Sequence, residues 1–110
     1  MRDRARWLAA FRDDATQEDP IGDVARRGLD EIGSFFDDGL RHWSGGLAIT
    51  PERIYVLGHE AAMVWRIDAS RPGEVIEFEG VDIFTFDDDA RIATVRAYWE
   101  DDLRRRFLRG

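Results

Sequence analysis

The chain has 110 residues, a formal net charge of −7, and a composition that is 44% hydrophobic and 35% charged. That mixture fits one globular domain with a modest core and excludes a disordered or fibrous chain. The acidity argues against a nucleic-acid partner, whose phosphates would be repelled over most of the surface.

Other absences narrow the chemistry further. With no cysteine, disulfides, thiolate metal sites and cysteine nucleophiles are excluded. With no lysine, Schiff-base mechanisms go too. The N-terminal apolar run is too short for a signal peptide, and no stretch is long enough to span a bilayer. A cytoplasmic protein without a membrane partner is the expectation.

In chain order, Arg4 to Asp13 is predicted helical, with Trp7, Leu8 and Phe11 spaced for one apolar face. ATQEDPIG follows as a connection stopped by Pro20. From Leu29 to Trp43 a helix is clear, because Leu29, Ile32, Phe36, Leu40 and Trp43 recur at three-or-four spacing before Gly45-Gly46 end it. The period then changes to two. Ile49–Leu57, Ala61–Ala69, Glu74–Phe86 and Ile92–Glu100 are predicted strands, separated by turn residues such as Ser70-Arg71-Pro72-Gly73. Arg104, Arg105, Arg106 and Arg109 read as a solvated terminus. Helices followed by strands joined through short turns imply an α+β fold, one domain over residues 1–110. The strand 74–86 is apolar on both faces, so its second face needs a cover, and a second copy of the chain is the expected one.

Several motifs are excluded. The run from Asp87 has Ile92 and Tyr98 where a calcium loop needs glycine and glutamate. His42 and His59 lack partners at zinc spacing. GLDEIG lacks the lysine and hydroxyl residue of a phosphate loop. No metal or cofactor is expected. Two carboxylates remain. Asp82 shares a strand face with Ile76, Phe78, Phe84 and Phe86, where an ionised carboxylate is costly to bury. Its plain reading is a sheet-edge residue paired with an arginine such as Arg96. Asp19, before Pro20, reads plainly as a turn residue.

Together with their surroundings the two become specific. Phe11, Asp13-Asp14-Ala15, Glu18-Asp19-Pro20-Ile21-Gly22, Arg27-Gly28 and Phe35-Phe36, with GVDIFTFDDDARIATVRAYW later, resemble the Δ5-3-ketosteroid isomerases of the NTF2-like and SnoaL-like superfamily. The resemblance implies a cone-shaped curved antiparallel sheet packed against N-terminal helices, a cystatin-like α+β barrel, dimeric through the sheet. It also implies a steroid Δ-isomerase activity that moves a double bond into conjugation with a ketone. By that likeness Asp19 is the proton-transferring base, and Asp82 is a carboxylic acid kept neutral so that it can donate to the oxyanion, behaviour already established for the family. Trp99 matches the aromatic position near the base, and Phe36, Met63, Trp65, Phe84 and Trp99 are the expected substrate-binding wall. The base is expected in the more polar setting, the acid among rings. The implied partner is a small hydrophobic, steroid-like ketone.

The resemblance starts at the family's second helix. The domain is therefore expected to be N-terminally shortened, by a misplaced start or by genuine loss, and to lack the first-helix tyrosine that is the main oxyanion donor. Phe36 stands where some members have a supporting tyrosine. Two further readings stay open. One is a SnoaL-like cyclase, lyase or hydrolase on the same fold, with His59 and Arg66 as its candidate groups. The other is a non-catalytic, dimeric module that binds hydrophobic ligands.

Overall fold

A computed structural model describes residues 4–99 and the backbone of 105–108. The elements are α1 (Arg4–Ala9), β1 (Phe11–Glu18), β2 (Arg26–Arg27), α2 (Gly28–His42), β3 (Gly46–Leu57), β4 (Glu60–Arg71), β5 (Glu74–Phe86), β6 (Ile92–Tyr98) and β7 (Arg105–Leu108). The architecture is α+β, as the change of period implied. The strands run in the order β2-β1-β6-β5-β4-β3, with β7 paired to the start of β5.

Three expectations need correction. First, the N-terminal helix ends at Ala9, and Phe11–Glu18 is a strand. Phe11, Ala15 and Gln17 are buried while Asp13 and Asp14 are exposed, which a strand with an irregularity between Phe11 and Thr16 accommodates. Its main partner is β6, a pairing no local pattern can announce. Second, that pairing is parallel, so the sheet is mixed and not wholly antiparallel. The sheet is also curved without closing into a barrel, since β2 and β3 do not pair with each other. Third, β3 begins at Gly46, three residues before Ile49. Gly45 makes this early start possible, because its backbone lies against β4. Its N–H donates to the Ser70 carbonyl at 2.9 Å, and an added Cβ would fall 2.6 Å from the Ser70 hydroxyl. Glu100, Arg104 and Arg109 lie outside the described residues, and Arg105 and Arg106 open β7 instead of trailing into solvent.

The amphipathic face of α2 is what holds it to the sheet. Ile32 is fully buried against Phe11, Ala15, Phe84, Ile92 and Val95. Glu31 secures the first turn by accepting the Arg27 N–H at 2.9 Å, one of the donors a helix start leaves unpaired. A second cluster of Trp65, Ala69, Ile76 and Phe78 forms towards the far end of β4 and β5, with Trp43, Leu47 and Trp99 packed against it. Helix and sheet leave a cavity between these two clusters. No helix among the described residues is long and apolar enough to cross a membrane.

Candidate active site

The cavity has a volume of about 580 Å³. Its buried lining residues, Gln17, Ile32, Trp65 and Val95, make the closed end, while exposed Asp23, Asp38, His42 and Ile49 lie at the rim. The wall between is largely aromatic, with Phe35 and Phe36 from α2, Trp43 after it, and Phe78 and Trp99 from the sheet. Phe78 stands between two indoles, 5.5 Å from the Trp65 ring and 5.3 Å from that of Trp99.

Both carboxylates border this cavity. β5 carries Asp82 directly opposite Ala97 of β6. β1 lies on the other side of β6, with Glu18 opposite Arg96, so Asp19 follows in line with Ala97. The Ile21 N–H fixes that alignment by donating to the Ala97 carbonyl at 2.8 Å. Ala97 on β6 thus lies between Asp82 on β5 and Asp19 just past the end of β1.

Each acid is held by an indole. Trp99 Nε1 donates to Asp19 Oδ1 at 2.6 Å, and Trp65 Nε1 donates to Asp82 Oδ1 at 2.9 Å. The second contact depends on Gly80. Trp65 faces Gly80 across the β4–β5 ladder, and its ring lies over the glycine. A Cβ at Gly80 would collide with that ring and come within 2.8 Å of the Tyr98 carbonyl oxygen.

Burial dominates the proton affinity of both acids. It pushes Asp82 up to about 7, against the lowering effect of the Trp65 hydrogen bond, and the Asp19 charge adds to the rise. Asp19 is also raised by burial, but the Trp99 indole and the charge of Arg26 work against this. Against expectation, the two settings are both desolvated. Their charged neighbours differ: Arg26 lowers Asp19 while Asp23 raises it, whereas Asp82 feels only the charge of Asp19, which raises it further.

Phe36, Trp65 and Trp99 border the cavity as the sequence suggested. Met63 and Phe84 do not. Phe84 is buried in the core opposite Val95, and Met63, opposite Asp82 on β4, packs against both clusters. Asp82 has no ion pair with Arg96, which lies instead 3.8 Å from Glu18. His59 sits in the β3–β4 turn, Arg66 pairs with Asp68, and neither borders the cavity. Tyr55 and Tyr98 are exposed, and no tyrosine among the described residues lines the site. Sequence reasoning missed Gln17. The alternation Ala15, Gln17, Asp19 would have found it, had this stretch been read as a strand.

Known proteins share this family and fold. The family model for the SnoaL-like domain matches residues 1–102. A steroid Delta-isomerase of Nocardioides simplex is 32% identical over 94 residues, covering 83% of this chain and 72% of the relative. RV0760c of Mycobacterium tuberculosis superposes with a TM-score of 0.84 at 27% identity, over 96% of this chain and 84% of that one. The same protein is known in complex with estradiol-17beta-hemisuccinate, and that structure gives a TM-score of 0.83 at 27% identity over 94% and 85%. The epoxide hydrolase/cyclase-like enzyme SalBIII shares the fold, with a TM-score of 0.82 at 20% identity over 93% and 81%. With its mixed curved sheet and the site between sheet and helix, the chain belongs to the SnoaL-like family and has the NTF2-like fold.

Proposed function

We propose that the protein is a steroid Δ-isomerase-like enzyme. The Asp19 carboxylate removes a proton from the carbon beside a ketone, and the electron pair moves onto the carbonyl oxygen to give a dienolate. Asp82, protonated, donates a hydrogen bond to that oxygen. Asp19 then returns the proton two carbons further along, and the double bond ends in conjugation with the ketone. No atom is gained or lost, and no cofactor is called for.

One observation carries this reading: two half-buried acids border one apolar cavity on either side of Ala97, and Arg26 acts on Asp19 alone. A neutral acid aimed at a developing oxyanion in a water-poor site is an effective stabiliser. The relative in Nocardioides simplex and the estradiol ester bound by RV0760c support a steroid-sized, oxygenated, apolar ligand.

The test is the rise of conjugated-enone absorbance with a Δ5-3-ketosteroid. Asp19→Asn is expected to lower kcat by at least about a hundredfold, the usual contribution of a positioned base. Equal rates for variant and parent would sink the proposal. The lack of a tyrosine on the described wall favours a second reading, a non-catalytic binding module, which predicts tight binding of a phenolic steroid without turnover. A cyclase or hydrolase reading loses its candidate groups, since His59 and Arg66 lie off the cavity.

We also infer that the protein forms a homodimer. Ile54, Tyr55, Val56 and Leu57 are consecutive and 57–86% exposed on the edge strand β3, a surface costly to leave in water.

A further inference from the structure

Gln17 is a buried amide cross-strand from Arg26, and neither Gln17 Oε1 nor Arg26 Nη1 finds a hydrogen-bond partner among the described residues. Gln17 lies on β1 opposite Val95, one residue pair inward from the row of Asp19, Ala97 and Asp82. Only 6% of it is exposed, and it borders the closed end of the cavity with Ile32 and Val95. Its Oε1 is buried without a hydrogen-bond partner. A buried, unpaired polar atom is destabilising, whereas an apolar side chain of similar shape avoids that cost.

The neighbouring chemistry indicates what the amide is for. The Trp65 and Trp99 N–H groups on this wall are already engaged by carboxylates. Asp82, once protonated, has one O–H to offer, and Gln17 offers an NH₂ donor and a carbonyl acceptor that exchange places by a half-turn of the amide. The amide therefore serves an oxygen on the leading end of the ligand, whether that oxygen is a ketone, a hydroxyl or an oxyanion.

We propose that Gln17 forms a second hydrogen bond, beside Asp82, to the ketone oxygen of the ligand's reacting ring. This deepens the isomerase reading and rests on its view of the cavity as the site for an oxygenated apolar ring system.

The probes are androst-4-ene-3,17-dione and androst-4-en-17-one, which lacks the 3-oxygen, titrated by tryptophan fluorescence against the parent, Gln17→Met and Gln17→Leu. Both substitutions are expected to weaken dione binding about tenfold and to leave affinity for the 17-ketone within about twofold. Ligand-free Tm should hold or rise, since an unpaired polar atom has been removed. Equal losses for both probes, no loss for either, or a fall in Tm would overturn the proposal. A parent that binds neither probe overturns it together with the isomerase reading. A parent that binds the dione without isomerising the Δ5 substrate defeats only the isomerase reading, and the titrations still decide the role of Gln17.

Discussion

Asp82 ties stability and activity to pH in opposite directions from most surface carboxylates. Its proton is held up to about pH 7 in the folded chain, well above the ordinary aspartate value of 3.8. A raised acid binds its proton more tightly when folded, so its contribution to stability is full below about pH 4. That contribution is lost as pH rises through about 7. Each pH unit of difference is worth about 1.4 kcal/mol. After discounting for the carboxyl's partial exposure to the cavity, about 2 kcal/mol is at stake. Asp82→Asn removes this dependence, so its Tm should exceed that of the parent by a margin that widens between pH 5 and pH 8 in thermal melts. The same substitution keeps an N–H donor. In the kcat/KM profile for the Δ5-ketosteroid, the parent should lose activity as pH rises through about 7, and the variant should lack that limb. The acidic limb belongs to Asp19, and burial places it above the usual carboxylate range.

At the scale of elements, the site depends on the match between β4 and β5. Trp65 reaches Asp82 because Gly80 leaves the surface of β5 bare beneath the indole. Gly80→Ala places a methyl between ring and strand with a backbone carbonyl blocking its escape, a form of overpacking that costs about 1–3 kcal/mol. The expected results are a lower Tm and a displaced indole N–H resonance for Trp65, with the Trp99 resonance little changed. Elements also decide how much was legible beforehand. The helix over Leu29–Trp43 and the strands after it follow from spacing, because each contrast of buried and exposed residues is local. Asp19 and Asp82 stood out because a carboxylate beside proline and a carboxylate among rings are unusual in themselves. β1 was not legible, since Arg12, Asp13 and Asp14 look like the end of a helix and its partner strand lies far along the chain. Gln17 was lost with it. The Trp65–Asp82 contact was equally hidden, because a register between strands cannot be read from either strand alone.

For the whole molecule, the exposed run Ile54–Leu57 bears on assembly. If β3 meets its copy, Val56→Arg should convert a dimer to a monomer in light scattering at micromolar concentration, with the melting profile otherwise cooperative. A parent that is monomeric at the same concentration would refute the dimer.

The alignment of Asp19 with Ala97 has a consequence for how the chain acquires its site. Trp99 and Asp19 are 80 positions apart, and the strands carrying them pair in parallel, a contact that closes nearly the whole chain into a loop. Loop closure of that length costs entropy before it returns any contact, so such pairings form late in folding. The hairpins from β3 to β5 can assemble from neighbours, while the acid pair exists only once the two ends of the domain have met. The hairpins bring Trp65 and Phe78 together with Asp82, and Asp19 and Trp99 join them only with the long-range pairing.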